Sequence, residues 1–406
     1  MTISSIYRQP GGSWGENIMA VGTTSGLLDH NHSQSVFKHA ILQRYIGAYT
    51  AMVGSTSTGN RVAVVDGFAG RGRYPDGKPA SGELILQAAA RASRAIVEAT
   101  LVEKNRADYA KLKHVVDEYV AKGVHAVAHH GPVHTHLSNI VTAAHGIPLF
   151  LFLDPCGAGL PFDDLSRVLA GERRPGRPST EVLLNFNADF TRRATGALAA
   201  SRHEHDSLPA LDRVCGGTWW RDEALKALGP DRNFERVAET IARAYTKRLA
   251  NSTGMQGITV PVKRRVSHQP VYHLVFLTRS PFGIWVFADA LARARQEWLK
   301  ALGPQEGDDE NALFTFGDSV KDVIKQEQAK ARARIGENLR SAVARRGRVK
   351  LVDEVWSIFD GVYGIANDTT VSMALRLTVE EGAVRVIEEA RNIRGYVIGP
   401  GPQAIR

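Results

Sequence analysis

The 406-residue sequence is short of the features that mark secreted, membrane-spanning and disulfide-rich proteins. It has only two cysteines, Cys156 and Cys215, and two thiols cannot build the disulfide framework of a small secreted domain. No apolar run reaches the roughly 18 residues that a membrane-spanning helix needs. Residues 1–30 also lack the basic start and apolar block of a secretory signal. The sequence therefore predicts a soluble, cytoplasmic protein that has no contact with a membrane.

Acidic residues are in deficit, with 42 Asp and Glu against 51 Lys and Arg, so the net charge is +9 at pH 7. Residues 318–350 hold ten basic and four acidic side chains, and this segment alone supplies +6 of the net charge. A basic segment of this kind favours binding of RNA or DNA through 318–350. The alternative interpretation is the solvated face of a long helix. The sequence leaves both open.

Apolar runs and helical spacing alternate from residue 61 onward, behind an irregular leader at 1–32 and an amphipathic helix around 37–49. This alternation predicts βαβ units, and hence a parallel sheet that is wrapped by helices and binds ligands beyond the carboxyl ends of its strands. The expected strands are 62–66, 99–103, 125–129, 148–153 and 182–185, and the expected helices between them are 83–93, 107–120 and 133–144.

The second half of the chain carries a weaker pattern. Gly303-Pro304 and the acidic residues after it indicate a boundary between a large domain at 33–303 and a smaller one at 304–406. The fold class expected is therefore α/β, with a doubly wound, mostly parallel, Rossmann-like sheet and a small, mainly helical, winged-helix-like C-terminal domain. The elements expected here are helices at 234–249 and 284–302, strands at 257–266 and 271–278, the basic helix, and short helices at 352–359, 371–379 and 383–390.

A glycine turn follows the first predicted strand, in the stretch Asp66-Gly-Phe-Ala-Gly-Arg-Gly72. Glycine permits positive φ and close backbone approach to a ligand, and a carboxylate at a strand end accepts hydrogen bonds. Glu103 ends the second strand, where an acidic side chain binds ribose hydroxyls in nucleotide-binding sheets. His130-Gly131 ends the third strand, where backbone amides could meet a base edge. Together these positions predict a site for a nucleotide-like cofactor.

Histidines are dense near residues 129–136 and again near 203–206. Imidazoles are common metal ligands, but the spacing here matches no metal motif, and no cysteine or carboxylate joins the first group. Surface or loop histidines are the favoured interpretation, and no metal is expected.

Asp154-Pro155-Cys156-Gly157 ends the most apolar strand, so it should lie beside the glycine turn. An Asp-Pro pair at this point can present a carboxylate oxygen and a backbone carbonyl to an amino group and so orient its lone pair. A plain strand-ending turn is the alternative. Cys156 as a nucleophile is disfavoured, because no general base is evident near it in the sequence.

Three segments carry a resemblance to a known family: Lys38–Leu42, Asp66–Gly77 and Asp154–Gly157. Asp66–Gly72 resembles the first motif of class I S-adenosylmethionine (SAM) methyltransferases, and the three together resemble the three-Cys-motif partner proteins (TcmP). The resemblance implies SAM as cofactor and a separate radical-SAM protein with three cysteines as partner. The residues expected to bind SAM are Asp66, Gly67, Phe68, Ala69, Gly70, Gly72, Tyr74, Glu103, Lys104, His130 and Gly131.

The same segments resemble the adenine-N6 methyltransferases of ribosomal RNA, in which a Lys-His pair lies close to cofactor and substrate. That resemblance carries over to Lys38 and His39, so the residues expected at the reaction end of the site are Lys38, His39, Asp154, Pro155, Cys156 and Gly157. The chain departs from those enzymes at Cys156 and Gly157, where they carry a proline and a base-stacking aromatic.

Three functions remain open from the sequence. The first is a SAM-dependent methyltransferase that acts on an amino group, with nucleic acid among the candidate substrates. The second is a SAM-binding or non-catalytic partner of a radical-SAM protein. The third, and least favoured, is a metal-dependent nuclease that uses the histidine clusters.

Overall fold

The computed structural model of the protein describes residues 33–176, 178–264, 268–301 and 316–403. The predicted leader at 1–32 and the predicted boundary between 303 and 304 lie outside these ranges. None of the described helices is both long and apolar enough to cross a membrane.

A seven-stranded sheet forms the centre of the molecule, in the order β3-β2-β1-β4-β5-β7-β6. The first five strands run parallel, and β7 is antiparallel to both of its neighbours. This order confirms the predicted doubly wound, mostly parallel, Rossmann-like fold class. The strands are β1 (Arg61–Asp66), β2 (Ile96–Glu103), β3 (His125–His130), β4 (Leu149–Leu153), β5 (Thr180–Asn187), β6 (Gln256–Val262) and β7 (Tyr272–Thr278).

Helices cover both faces of the sheet, because the central strands are apolar on both sides. All five residues of β4 are buried, as expected of a central parallel strand. Each face has its own hydrophobic core. One face carries α1 (Ser33–Gly54), α2 (Ser81–Arg91), α3 (Arg106–Val120) and α10 (Pro281–Ala301); the other carries α4 (Val133–Ala143), α5 (Phe162–Ala170), α6 (Ala188–Ala199), α7 (Ser207–Cys215), α8 (Trp219–Leu228) and α9 (Phe234–Thr253).

The chain order reverses between β1 and β4, which are neighbours in the sheet but not in the sequence. Connections leave β1 and β4 toward opposite sides, which opens a crevice at their carboxyl ends. The stretches that begin at Asp66 and Asp154 both start at this crevice. The fold therefore brings the two strongest sequence motifs together.

The C-terminal unit combines the predicted helices with a three-stranded antiparallel sheet in the order β8-β10-β9, which the sequence analysis did not predict. It packs on α10, where Trp285 Nε1 donates to Asp368 Oδ1 at 2.6 Å and the Tyr363 hydroxyl donates to the Ile284 carbonyl at 3.0 Å. Its elements are α11 (Phe316–Arg346), β8 (Val349–Lys350), α12 (Val355–Ile358), α13 (Asp368–Glu380), β9 (Val384–Glu388) and β10 (Val397–Pro400).

The prediction of a helix at 383–390 was wrong, because these residues form β9. Val384 is buried, and the strand pairs with β10, whose residues lie 9 to 16 positions further along the chain. A run of five residues with mixed exposure fits a helix or an edge strand equally well when the pairing partner is unknown. The partner strand decides the conformation here.

Candidate functional site

Asp66, Asp154 and Asn185 lie side by side at the carboxyl ends of β1, β4 and β5. Side chains alternate along a strand, so a residue points to the same face as the residue two positions before it. The residues two positions earlier are Val64, Phe152 and Leu183, which all belong to the core beneath α1. The three polar side chains therefore share one face of the sheet, the face that α1 covers.

Asp66 is fully buried and only half satisfied by the protein. Its Oδ1 accepts the Phe68 N–H at 2.9 Å, while its buried Oδ2 has no hydrogen-bond partner among the residues that the structure describes. Burial raises the pKa of this carboxyl from 3.8 to about 7, and the nearby Ser81 hydroxyl and the Phe68 amide oppose that shift. A buried oxygen acceptor without a donor is the feature expected where a cationic or N–H-bearing ligand binds.

The glycine turn after β1 requires its glycines. At Gly67 a Cβ atom would lie 2.7 Å from Leu153 Cδ2, so a larger residue would clash with the packed end of β4. Gly72 has φ of +76°, and its Cβ would lie 3.0 Å from Leu112 Cδ1. The intervening Ala69 is buried and donates its N–H to the Val102 carbonyl at 2.9 Å. The turn is thus fixed against β2 and β4.

Glu103 joins the ends of the first three strands. Its Oε2 accepts the N–H of Gly70 at 3.0 Å and its Oε1 that of Asn105 at 2.6 Å, while its backbone carbonyl accepts the N–H of Gly131 at 3.0 Å. Lys104, which follows Glu103, is exposed. The structure therefore gathers the predicted cofactor residues of these strands around one carboxylate.

The remaining predicted cofactor residues lie around this centre. The His130 side chain is exposed, and its ring lies 5.1 Å from that of Tyr109. Phe68 is half-buried within the turn, and Tyr74 is buried, with its ring 6.1 Å from the ring of His39.

Lys38, on α1, forms an ion pair with Oδ2 of Asp154. Burial works against its charge, yet the Asp154 carboxylate and other groups nearby hold the pKa of Lys38 above its ordinary value. Asn185 Nδ2 donates to the other oxygen, Oδ1 of Asp154, at 2.8 Å. Both oxygens of Asp154 therefore have a partner within the protein.

His39 is buried beside this pair. Burial, followed by the positive charge of Lys38, lowers its pKa to about 3. The imidazole is therefore neutral at physiological pH and a weak base.

The Pro155 ring is buried, whereas Cys156 and Gly157 are exposed. Desolvation, followed by the negative charge of Asp154, raises the pKa of the Cys156 thiol above its ordinary value. At neutral pH this cysteine is therefore a thiol and not an activated thiolate, in line with the interpretation drawn from the sequence.

The histidines of the sequence do not assemble into a metal site within the described ranges. The rings of His129 and His136 stack at 5.2 Å, and His136 Nε2 lies 3.0 Å from the His130 carbonyl oxygen. No group of three or more His, Cys, Asp or Glu side chains in the described ranges is arranged to hold a metal ion.

Sequence reasoning missed two residues of this site, Asn185 and Tyr272. The sequence pattern places Asn185 in a strand but predicts no role for its side chain. Its position at the end of β5, level with the polar ends of β1 and β4, is the signal that could have found it. Tyr272 begins β7, and Lys38 Nζ lies 5.9 Å from the centre of its ring. Burial raises the pKa of the Tyr272 hydroxyl above its ordinary value, so it stays protonated.

No protein-family model matches the chain, and no curated protein sequence matches it. Similar solved structures include an O-methyltransferase from Bacillus cereus in complex with SAH, at 8% identity, TM-score 0.30, over 59% of this chain and 80% of that chain. Another is the small RNA methyltransferase HEN1, at 10% identity, TM-score 0.32, over 59% and 26%. A third is TYW2 from M. jannaschii in complex with AdoMet, at 11% identity, TM-score 0.26, over 57% and 73%. At these identities the fold class rests on the strand order of the chain itself.

Proposed function

We propose that the protein is a SAM-dependent methyltransferase that acts on an amino group. The observation that carries the proposal is the buried, unpartnered Oδ2 of Asp66 at the crevice of a sheet with methyltransferase strand order. A ligand that ends in an ammonium group satisfies this oxygen and stabilises its negative charge. SAM is such a ligand, and when bound it supplies the methyl group that an acceptor nucleophile takes from its sulfonium sulfur.

The residues present fit this cofactor. Asp66 would bind the ammonium group, and the glycine turn from Gly67 to Gly72 would allow close backbone approach. Glu103 already accepts two backbone N–H groups, and each of its oxygens keeps a second lone pair that can accept a ribose hydroxyl. Gly131 and His130 would lie beside the adenine base of the cofactor. The fit supports the cofactor proposal on this chain's own residues.

Asp154, Lys38 and Asn185 would form the acceptor side of the site. An acceptor nitrogen that is methylated loses a proton, and water at the exposed Cys156-Gly157 rim can take it. His39 is too weak a base for that role because it is neutral down to low pH. An amino group suits such a site, since a neutral amine needs no deprotonation before it attacks.

One observation favours a second candidate, a SAM-binding partner protein without catalysis of its own. Lys38 and Asn185 occupy both oxygens of Asp154, so an acceptor must share or displace one of them. The TcmP-like segments support a radical-SAM protein with three cysteines as the partner in either case. Incubation of wild-type protein with methyl-labelled SAM and cell extract, with and without that partner, separates the two candidates. Labelled product supports the enzyme, and SAM binding without any labelled product supports the partner protein.

Binding of S-adenosylhomocysteine (SAH) should depend on pH through Asp66. The ligand's ammonium group favours the ionised carboxylate, whose pKa in the free protein is raised to about 7. Below that pH a proton must leave before the ligand binds, so we expect the association constant to fall by up to about tenfold per pH unit between pH 7 and 5.5. Isothermal titration calorimetry across this range checks the prediction. Affinity that is constant with pH would contradict the role of Asp66, and absence of binding at pH 8 would contradict the cofactor proposal.

We also propose that the basic segment 318–350 binds RNA or DNA, through a few residues only. Arg334, Arg340, Arg346 and Arg348 are paired with acidic side chains of the same unit. Lys325, Lys330 and Arg332 have no ion pair with any described residue, and both lysines are exposed. The two lysines can bind phosphates directly. Arg332 Nη1 lies 3.9 Å from Met373 Sδ, a weak acceptor that a phosphate oxygen can displace.

Replacing Lys325, Lys330 and Arg332 together by glutamine should weaken binding of a 20-nucleotide single-stranded RNA. Each phosphate contact contributes about 0.7 to the salt dependence of the logarithm of affinity, so the slope should fall by about 2. Fluorescence anisotropy at several salt concentrations measures it. A matched variant with three exposed lysines of the large domain replaced, Lys111, Lys122 and Lys226, should keep the wild-type slope. If both variants lower the slope of RNA affinity against salt equally, the proposed role of segment 318–350 in RNA binding is contradicted.

A further inference from the structure

We infer that the side-chain carbonyl of Asn185 binds an N–H of the methyl acceptor, so that the acceptor is a nitrogen group that carries at least one hydrogen. This inference rests on the proposed methyltransferase function and assigns the substrate class of that site. It starts from an oxygen that the fold leaves unsatisfied. Asn185 Oδ1 is buried and has no hydrogen-bond partner among the described residues.

The orientation of the Asn185 amide follows from its neighbour. Asp154 forms an ion pair with Lys38, and a carboxylate in an ion pair only accepts hydrogen bonds. The Asn185 atom 2.8 Å from Asp154 Oδ1 must therefore be the NH₂ group. A flipped amide would place two oxygens against each other. The carbonyl Oδ1 is thus fixed on the side of Asn185 that faces away from Asp154, and it can only accept.

No neighbour in this cluster supplies the missing donor. Lys38 is already held by Asp154. The second amide of the region, Asn187, uses its Oδ1 to cap α6 by accepting the Phe190 N–H at 2.9 Å, and its Nδ2 donates to the Gly157 carbonyl at 3.3 Å. Within the described ranges, Asn185 and Asp66 are the two residues at these strand ends whose side chains keep a buried oxygen without a hydrogen-bond partner. Asp66 lies on β1 toward the cofactor motif, and Asn185 lies beyond Asp154 on β5, on the acceptor side.

The chemistry around Asn185 selects nitrogen over oxygen as the atom that is methylated. A hydroxyl group needs a base to remove its proton before or during attack. The candidates here are Asp154, whose charge Lys38 balances, and His39, which stays neutral because burial lowers its pKa to about 3. A primary or secondary amine that binds in its neutral form needs only to be oriented, because its lone pair is then available. When the Asn185 carbonyl accepts one N–H of the amine, the lone pair of the amine nitrogen stays free to point at the methyl group.

Sinefungin tests the inference without knowledge of the natural acceptor. In this SAM analogue a carbon that bears an amino group replaces the sulfonium, so an N–H donor is carried at the position of the transferred methyl. SAH is the same ligand without that donor. We expect wild-type protein to bind sinefungin about tenfold or more tightly than SAH, since hydrogen bonds that involve a charged group have that strength. Calorimetry of both ligands gives the ratio of their dissociation constants.

Asn185→Leu removes the acceptor and keeps the volume of the side chain. We expect it to abolish most of the sinefungin preference while the dissociation constant for SAH stays within about twofold. If the leucine variant does not fold, Asn185→Ala makes the same comparison.

The outcomes separate the inference from the function on which it rests. If wild-type protein does not bind SAH, the proposed function fails and the inference fails with it. If SAH binds and the leucine variant weakens both ligands equally, or neither of them, the function stands and the role of Asn185 is overturned.

Discussion

Replacing Asp66 with asparagine should abolish SAH binding and at the same time stabilise the fold. The ligand's ammonium group loses its charged partner, and removal of one partner from a buried, charge-assisted contact reduces affinity by about 3 kcal/mol or more, which is at least a hundredfold. Stability should change in the opposite direction. A residue that binds a ligand often lowers the stability of the folded protein, because its side chain suits the ligand better than it suits the packing of the fold.

The sign of the stability change follows from the pKa of Asp66. Burial raises this pKa from 3.8 to about 7, so between these values the folded protein holds a proton that the unfolded chain has lost. The contribution of Asp66 to stability therefore falls as pH rises from 4 to 7 and is smallest above 7. The raised pKa sets an upper limit of about 4 kcal/mol on the destabilisation at pH 8, at about 1.4 kcal/mol for each pKa unit. The new amide N–H lacks an acceptor, which offsets part of the gain, so we expect Asp66→Asn to raise the free energy of unfolding by about 1–2 kcal/mol.

Urea denaturation at pH 8 and at pH 4.5, with calorimetry of SAH at pH 8, measures both effects. Glu181 provides a matched control at the opposite end of the sheet. It is also buried, and burial raises its pKa to about 7, opposed by hydrogen bonds from Tyr45 and Thr278. Glu181→Gln should leave the affinity for SAH unchanged. Loss of binding in both variants would indicate a general effect on the fold, and an Asp66→Asn variant that binds SAH normally would contradict the site.

The central sheet could be predicted because its signal is local. β1 and β4 are short, continuous apolar runs that end at an aspartate, and such a run between helical patterns is typical of a central parallel strand. The antiparallel addition of β7 and the pairing of β9 with β10 depend on partners elsewhere in the chain. No window of sequence contains that information. This is the physical reason why 383–390 was misassigned while β4 was found.

The local sequence pattern could identify only those site residues that lie at or directly after the end of a predicted strand. Asp66, Glu103 and Asp154 stand out because a charged side chain follows an apolar run. The contact between Lys38 and Asp154 spans 116 residues, and only packing of α1 on the sheet brings the two together. Asn185 has no local signal of this kind, since an uncharged polar residue near the end of a strand is common. Its significance depends on the orientation that Asp154 imposes on its amide.

The ion pair between Lys38 and Asp154 should be the most sensitive contact of the site to one-sided substitution. Both side chains are largely buried, with 13% and 14% of their surface exposed. Asp154→Ala leaves the Lys38 ammonium without its counter-charge and the Asn185 NH₂ without its acceptor. Breaking a buried pair from one side destabilises a protein by about 3–5 kcal/mol, and we expect a loss at the lower end of this range because some solvent reaches the pair.

The double variant Lys38→Met/Asp154→Leu should recover part of that loss, because it removes both charges and fills the space with apolar side chains of similar size. The Asn185 NH₂ group stays without its acceptor. Urea denaturation of wild type, Lys38→Met, Asp154→Leu and the double variant at pH 7.5 completes the cycle. We expect a coupling energy of about 2–3 kcal/mol, and additive single effects would contradict the pair.

The double variant has a second use. It should bind SAH, since Asp66 and Glu103 are intact, yet transfer no methyl group, and this combination would separate the part of the site that holds the cofactor from the part that presents the acceptor.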